Sequence, residues 1–470
     1  MVWFTKIMTY VHHPASEISR TDIEQLQARA KRTLDSLVTS RGIYASVDYG
    51  WKGPYHSWFG RDTAITADLI VASLKYGGDR QLAFTALEGL IEFAKWQGTK
   101  DDPTTGEERG KLPHEIRDTF NSIDEVQHAS GTNQQPWFVD PADGLLKNWD
   151  SADSTALWVI AVIRGHRALG LSFTPEVMGK IQAALEWIMR TIEMYHGLVG
   201  FVGADLQVSR LFSGLHNQGW KDTFQIYQTT SGDLAAHPIK DVLVNAEAWL
   251  ALHLSRELFE GDFKLRVGFM ADELRLQFNR VEDGFLLPDK SYFAQAIDGQ
   301  EVQLAQRAAD VGMCLWASHE GECVIDAEYI DVVARVIAGP TFFNPTAGIR
   351  NYALGTVFSQ GTLYHGSDHT YWPFVSALTA RGLLRFGYRD EAENVARASL
   401  LAIKRLRTNI EMFTETLNGQ LVIWHHPKVG QESSLEQAWT AGAVYFESLF
   451  LSNSNESTED DFAAAQSPMV

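Results

Sequence analysis

Residues 241–278, DVLVNAEAWLALHLSRELFEGDFKLRVGFMADELRLQF, show most clearly the pattern from which the fold is predicted. Apolar residues recur there at three- and four-residue spacing in two segments, near 241–259 and 261–278, and this spacing is typical of helices that bury one face. Glu260-Gly261-Asp262 provides a turn signal between the two segments. The stretch therefore predicts a hairpin of two helices.

The same pattern recurs along the chain, and the remaining segments lie near 22–41, 62–77, 79–97, 152–170, 174–195, 304–319, 326–338, 369–386, 389–407 and 435–451. Connections within most pairs are short, whereas those between pairs are long and cover 98–151, 196–240, 279–303, 339–368 and 408–434. Long connections inside a compact domain are usually functional. We predict an all-α fold, a closed (α/α)6 toroid whose mouth is built by long loops on one face. An open solenoid is the alternative, but no fixed sequence period recurs.

Composition limits the domain organisation. With 470 residues, of which 45% are hydrophobic, the chain can bury a large core. Proline and glycine are not concentrated in an interior linker, so we predict a single domain over 1–452. The Ser-, Asn- and acid-rich residues 453–470 are typical of a disordered tail.

Charge and cysteine content limit the partners. A net charge of −19 argues against nucleic acid or an anionic membrane surface as partner, and no apolar run approaches the length of a membrane span. The two cysteines fit a reducing compartment, and the N-terminus lacks the features of a signal peptide. We therefore expect a cytoplasmic protein, and the sequence does not indicate its oligomeric state.

Asp222 is the candidate general acid. It lies in a polar stretch between two helical segments, beside Trp220 and Lys221. An indole removes solvent and raises a carboxyl pKa, whereas an ammonium lowers it, and a proton donor needs the first influence to dominate. The alternative is a structural aspartate that caps a helix or pairs with Lys221.

Glu411 is the candidate base, because apolar residues flank it in a loop that also holds several aromatic residues. Its alternative role is an ion pair with Arg405 or Arg407. Glu415 would be the substitute base, since on a continued helix it would lie one turn away.

Other long loops hold groups that suit a sugar. A pyranose presents a flat C–H face to an indole, and its hydroxyls need hydrogen-bond donors and acceptors. Arg61 offers a fork of donors, while Asp62 could either cap a helix or bind substrate. His365 and His369 resemble a metal cluster in composition, but no second ligand set has a recognisable spacing, so we predict neither a metal nor a cofactor.

Seven motifs occur in this order: Trp58-Phe59-Gly60-Arg61-Asp62-Thr63, Gly110-Lys111-Leu112-Pro113-His114-Glu115-Ile116-Arg117, Asp153-Ser154, Gln218-Gly219-Trp220-Lys221-Asp222, Gly348-Ile349-Arg350, Trp372-Pro373 and Gln437-Ala438-Trp439-Thr440-Ala441-Gly442-Ala443. Together they resemble the glucosidase domain of prokaryotic glycogen-debranching enzymes, the amylo-α-1,6-glucosidase-like members of the six-hairpin glycosidases. The similarity covers most of residues 40–450.

The resemblance implies an inverting glycoside hydrolase that cleaves α-glucosidic bonds, with Asp222 as acid and Glu411 as base. The residues implied to bind the sugar are Trp58, Arg61, Asp62, His114, Glu115, Arg117, Asp153, Gln218, Trp220, Lys221, His365, His369, Trp372 and Trp439. Debranching enzymes bear a large β-rich domain ahead of the helical one, whereas few residues precede the first motif here. We therefore expect small glucosides or oligosaccharides as substrates.

Two alternatives from other classes stay open. The same toroid occurs in sugar epimerases, where histidines act as acid and base, and His365, His369, His425 and His426 could serve in this way. A second alternative is a catalytically inactive module that binds glycans. Motif matches of this kind are hypotheses that the structural context tests.

Overall fold

The computed structural model describes residues 18–47, 55–117, 137–356, 364–426 and 432–453. These residues form twelve α-helices, numbered α1 to α12: Arg20–Leu37, Gly60–Ser73, Arg80–Phe93, Ser154–Leu169, Pro175–Met194, Val242–Ser255, Gly261–Phe278, Asp310–Met313, Ala327–Ile337, Pro373–Arg385, Arg389–Leu406 and Ala438–Asn453. The N-terminal residues 1–17, for which no signal peptide is predicted, and the predicted tail from residue 454 onward lie outside the described residues.

The helices form two layers. Each even-numbered helix contacts the next, from α2 through α12 and back to α2, so the six of them close an inner ring. The odd-numbered helices pack outside this ring, each against an inner neighbour. The predicted (α/α)6 fold is thus confirmed. No helix in the described part of the chain is both long and apolar enough to cross a membrane.

The two helices of the hairpin at 241–278 differ in burial, and this difference shows why α6 lies in the inner ring and α7 outside it. In α6, thirteen of fourteen residues are buried, which fits a helix surrounded by protein. In α7 the buried residues are Val267, Ala271, Leu274 and Phe278, which follow a spacing of three and four and form one apolar face. A helix with a single apolar face packs on the outside of a core.

Short strands occupy the connections, and the described ones, β1 to β15, are Val38–Thr39, Gly42–Ile43, Trp58–Phe59, Glu115–Arg117, Leu146–Asn148, Lys240–Asp241, Ala296–Ile297, Gln303–Leu304, Ser318–His319, Glu322–Cys323, Phe343–Asn344, Gly348–Ile349, Thr370–Tyr371, Phe413–Glu415 and Leu421–Ile423. Three sheets have three antiparallel strands each: β3-β4-β5, β6-β7-β8 and β13-β14-β15. In each sheet one strand directly precedes an inner helix and the other two belong to a long connection. The sheets therefore order the long loops around the N-terminal ends of the inner helices.

The helix predicted at 304–319 is much shorter in the structure. Only Asp310–Met313 is α-helical, and the backbone then tightens into turns, with Leu315 N–H donating to the Gly312 carbonyl and Trp316 N–H to that of Met313. Residues 310–318 are buried throughout, so their apolar pattern does not distinguish a helix from a series of turns.

Candidate active site

A cavity of about 240 Å³ lies at the N-terminal ends of the inner helices. Its walls include eleven of the predicted site residues: Arg61, Asp62, His114, Glu115, Arg117, Trp220, Asp222, His365, Trp372, Glu411 and Trp439. They come from four long connections and from the first turns of α2 and α12. The fold therefore brings both candidate catalytic carboxyls to one cavity.

Arg61, in the first turn of α2, ties two of these connections together. Its Nε donates to Asp153 Oδ2 at 2.6 Å, and its Nη2 donates to the Gly219 carbonyl at 2.9 Å. Its Nη1 lies 3.7 Å from Asp222 Oδ2. Because Asp153 immediately precedes α4, this guanidinium fixes the Asp222 loop to the starts of two inner helices.

Asp222 faces the cavity with 28% of its side chain exposed, while Arg61 beside it is almost fully buried. Loss of solvent raises the pKa of the Asp222 carboxyl to about 6; the Arg61 charge opposes this rise and the Asp153 charge adds to it. Lys221 does not pair with Asp222, because its ammonium binds Asp310. The site thus keeps Asp222 partly protonated near neutral pH.

Trp220 and Lys221 share one buried acceptor. Asp310, at the start of α8, accepts from Trp220 Nε1 at 2.6 Å and from the Lys221 ammonium. Both members of the ion pair are essentially inaccessible to solvent. Asp310 thereby anchors the two residues that precede the candidate acid.

Replacing Asp310 with Ala should destabilise the protein by about 3–5 kcal/mol, because it leaves the Lys221 ammonium buried without its counter-charge. The free energy of unfolding from urea titrations measures this. Glu24→Ala, which breaks the exposed Arg20–Glu24 pair, is the control and should change that free energy by about 0.5 kcal/mol or less. Equal effects in the two variants would contradict a structural role for Asp310.

Glu411 is held on the cavity wall by two donors. Tyr364 Oη donates to Oε1 at 2.6 Å, and the Ser434 backbone N–H donates to Oε2 at 2.9 Å. Burial raises the pKa of the Glu411 carboxyl to about 7; the two hydrogen bonds oppose this rise, and the charge of Asp222 adds to it. The candidate acid and base therefore interact electrostatically across the cavity.

Other ionisable groups on the wall are shifted toward their neutral forms. Burial raises the pKa of Asp62 to about 8 and lowers that of His114 well below its usual value. Asp62 does not cap α2 with its side chain, because the helix starts two residues earlier and Asp62 Oδ1 accepts from Gln437 Nε2 at 3.0 Å. Glu115 forms an ion pair with Arg117.

Several buried polar atoms of the cavity walls have no hydrogen-bond partner among the described residues. They are His114 Nδ1, Arg117 Nη1, Asn148 Nδ2, Trp372 Nε1, Gln437 Oε1 and Trp439 Nε1. Buried polar groups normally have partners, because leaving one unsatisfied costs about 1–3 kcal/mol. The cavity is lined by ionisable and amide side chains together with aromatic rings, and such a lining suits a ligand rich in hydrogen-bond donors and acceptors.

Five predicted sugar contacts lie outside the cavity walls: Trp58, Asp153, Gln218, Lys221 and His369. Trp58 packs on Trp96 at 5.3 Å between ring centres, while its neighbour Phe59 faces the cavity, because successive residues of β3 point to opposite sides.

The other four have partners within the protein. Gln218 donates to the Val202 carbonyl, and Asp153 and Lys221 are bound to Arg61 and Asp310 as described above. His369 is 42% exposed and lies 3.6 Å from Asp368. We therefore assign Asp153 and Lys221 as residues that position the site, and neither Gln218 nor His369 as a substrate contact.

Seven further residues line the cavity and do not follow from the predicted set: Tyr55, Phe59, Trp137, Asn148, Leu215, Tyr364 and Gln437. Two of them, Phe59 and Tyr364, stand next to a residue in that set, and strand alternation could have indicated Phe59. Tyr364 gives no such signal, because its contact with Glu411 joins residues 47 positions apart.

The substitute base and most of the histidines lie elsewhere. Glu415 is on β14, not on a continued helix, and accepts from Tyr371 Oη and Asn344 Nδ2 outside the cavity. Of the four histidines proposed for an epimerase, only His365 lines the cavity. Among the described residues, no three His, Cys, Asp or Glu side chains group closely enough to hold a metal ion.

Comparison with known proteins shows the fold alone. No family model and no curated protein matches the sequence. A mannosylglycerate hydrolase of glycoside hydrolase family 63 from Thermus thermophilus has a TM-score of 0.56 and 13% identity, over 90% of this chain and 99% of that one. The same hydrolase was also solved in complex with glucose.

Two further solved structures have the same fold. A protein described as a glycosidase has a TM-score of 0.55 and 12% identity over 92% of this chain and 99% of its own. A glucoamylase from Saccharomycopsis fibuligera has a TM-score of 0.55 and 13% identity over 94% and 98%. The chain thus has the six-hairpin fold found in these glycoside hydrolases.

Proposed function

We propose that the protein is an inverting glycoside hydrolase that cleaves α-glucosidic bonds of small glucosides or oligosaccharides. The observation that carries the proposal is the pairing of two carboxyls, Asp222 and Glu411, on one aromatic-lined cavity. A shared fold with a glucoamylase, and with a hydrolase solved with glucose bound, supports a glucoside as substrate.

In this mechanism the bond between C1 of the sugar and the glycosidic oxygen breaks. Asp222 gives its proton to that oxygen, and the leaving alcohol departs. Water adds to C1 from the opposite face, and its proton goes to Glu411. In inverting glycosidases the two carboxyls are roughly 6.5–9.5 Å apart, which leaves room for that water. Neither a metal nor a cofactor takes part in these steps.

The test is hydrolysis of maltose and aryl α-glucosides by the purified protein, followed by proton NMR. We expect β-glucose to appear first and to mutarotate afterwards. Initial release of α-glucose would exclude inversion, and the absence of any released glucose would exclude the proposed activity. Conversion of free reducing sugars without hydrolysis would favour the epimerase alternative, and binding without turnover would favour an inactive glycan-binding module.

The pH dependence of kcat/KM should be bell-shaped, with its maximum between pH 6 and 7. Below the pKa of about 6 both carboxyls are protonated and no base remains, whereas above the pKa of about 7 both are ionised and no acid remains. The apparent pKa values of the two limbs belong to the pair of carboxyls and not to single residues, because the two groups interact. Activity that rises steadily to pH 9 would contradict a protonated carboxyl as the acid.

Small substrates should be preferred over glycogen. The cavity of about 240 Å³ is slightly smaller than the roughly 300–1,000 Å³ typical of small-molecule sites, so it suits one or two sugar rings. We expect kcat/KM to be several-fold higher on maltotriose than on glycogen, expressed per non-reducing end. Equal constants on the two substrates would contradict this expectation.

A further inference from the structure

Two tyrosine hydroxyls form a chain that ends at Glu411. Tyr364 Oη lies 2.6 Å from Glu411 Oε1, and Tyr55 Oη lies 3.3 Å from Tyr364 Oη. Tyr55 precedes β3, Tyr364 precedes β13 and Glu411 follows α11, so the fold brings them together from distant parts of the sequence. All three residues line the cavity.

The direction of donation along this chain follows from the number of protons. A tyrosine hydroxyl has one proton to donate and can also accept, whereas an ionised carboxylate only accepts. Tyr364 therefore donates to Glu411, and Tyr55 is the donor to Tyr364. Burial, with the charge of Glu411 adding to its effect, raises the pKa of Tyr364 well above its usual value. The Tyr364 hydroxyl thus remains a donor across the pH range of activity.

Aromatic packing fixes the ring of Tyr364. Trp372 meets it edge-on with 5.3 Å between ring centres, and Trp424 meets it at 5.0 Å. A ring packed in this way has little freedom to turn its hydroxyl elsewhere. The backbone N–H of Ser434 holds the other carboxylate oxygen of Glu411. Both oxygens of the candidate base therefore have a fixed donor.

The other ionisable groups that face Glu411 favour its protonated form. Burial raises the pKa of Glu411, and the charge of Asp222, from the connection before α6, adds to that rise. Asp62, in the first turn of α2, is affected in the same way, since burial raises its pKa and the charge of Glu411 adds to the rise. The hydrogen bonds from Ser434 and Tyr364 oppose protonation of Glu411. Of these two donors, only Tyr364 acts through its side chain.

We infer that Tyr364 is a positioning residue for the base, an inference that rests on the proposed function. Its hydroxyl, itself held by Tyr55, orients Glu411 and favours the ionised carboxylate. The productive form of the protein has the proton on Asp222 and the charge on Glu411. Tyr364 therefore increases the share of the free protein that is ready to react.

The test is the pH dependence of kcat/KM for Tyr364→Phe with maltose as substrate. Loss of a hydrogen bond to the charged form raises the pKa of Glu411, so the alkaline limb should move up by about one pH unit. The acidic limb, which mainly reflects loss of the proton from Asp222, should stay in place. The maximum should fall by about tenfold, because the productive form becomes rarer as the pKa of Glu411 rises.

Two further variants serve as comparisons. Tyr371→Phe is the matched control, because the Tyr371 hydroxyl also donates to a glutamate, Glu415 at 2.9 Å, but outside the cavity. It should leave both limbs in place. Tyr55→Phe removes only the outer donor of the chain and should move the alkaline limb upward by a smaller amount. Phenylalanine keeps the ring in each variant, so all three should fold, which circular dichroism checks.

A second measurement does not depend on turnover. Carbon NMR of protein labelled at the side-chain carboxyl of glutamate follows the titration of Glu411, whose resonance is identified by its loss in Glu411→Gln. The pKa of Glu411 should be higher in Tyr364→Phe than in the unsubstituted protein or in Tyr371→Phe.

The outcomes separate this inference from the proposed function. A lower maximum with both limbs unmoved, or a pKa of Glu411 that Tyr364→Phe leaves unchanged, would overturn the role of Tyr364 and leave the hydrolase intact. Equal shifts in Tyr364→Phe and Tyr371→Phe would also overturn that role. No release of glucose from maltose or aryl α-glucosides by the unsubstituted protein would overturn the proposed hydrolase, and with it the base that Tyr364 positions.

Discussion

Asp222→Asn should lower kcat/KM on alkyl α-glucosides by about 10²–10⁴-fold, the range typical of a lost general acid. The amide cannot give a proton to the leaving oxygen, but Glu411 can still activate water. The loss should therefore shrink markedly for α-glucosyl fluoride, whose leaving group needs little protonation. Steady-state rates on the alkyl glucosides and the fluoride measure both effects.

The pH profile provides a second measurement on the same variant. With the fluoride as substrate, Asp222→Asn should lose the alkaline limb, since no carboxyl has to stay protonated. Asp233→Asn, an exposed aspartate further along the same connection, should retain near-normal activity and both limbs. Near-normal turnover of alkyl glucosides by Asp222→Asn would remove the foundation of the proposed mechanism.

The proton distribution between the two carboxyls depends on whether substrate is bound. The mechanism needs Asp222 protonated and Glu411 ionised, yet the pKa of Asp222 is about 6 and that of Glu411 about 7. When the pair holds one proton, only a minor fraction of the free protein carries it on Asp222. A bound sugar displaces solvent from both carboxyls, so it moves the proton to Asp222 only if it desolvates Asp222 more than Glu411.

The helices of the fold could be predicted from the sequence, because a buried helix carries apolar residues either at helical spacing on one face or along its whole length. The inner helix α6 is apolar almost throughout, whereas the outer helix α7 also carries many charged residues. The turns after Asp310 could not be predicted, because a short segment buried on every side shows the same apolar run in any conformation.

Only some of the residues that line the cavity could be predicted, because local geometry decides which side chains face it. Phe59 faces the cavity in place of the predicted Trp58, because successive residues of a strand point to opposite sides. Lys221 turns away from the cavity because its counter-charge, Asp310, lies at the start of α8, 89 residues along the chain. Pairings between distant loops leave no local trace, so neither this ion pair nor the Tyr364 hydrogen bond to Glu411 could be predicted.

Glu411→Gln should also lower kcat/KM by about 10²–10⁴-fold, but for a different reason. The amide cannot take a proton from water, so attack on C1 is slowed whatever the leaving group is. α-Glucosyl fluoride should therefore restore little activity, in contrast to its effect on Asp222→Asn. Rates of the two variants on the same pair of substrates make the comparison.

Glu415→Gln is the matched control for that substitution. Its carboxylate binds Tyr371, Asn344 and Arg350 outside the cavity, so its loss should reduce stability and leave the chemistry of the substrate intact. Activity lost in Glu415→Gln but retained in Glu411→Gln would reverse the assignment, although no helix connects the two positions.

Added azide can distinguish a variant that has lost only the catalytic base from one whose whole site is disrupted. It is a small nucleophile that needs no deprotonation, so it should restore turnover in Glu411→Gln by entering where the water lies. Attack on an α-glucoside from that face inverts C1, and the product should be β-glucosyl azide by proton NMR. An α-azide would indicate attack from the side of the leaving group. Near-normal turnover of Glu411→Gln without azide would move the base to Asp62 or Glu115, the other two carboxyls among the described residues that line the cavity.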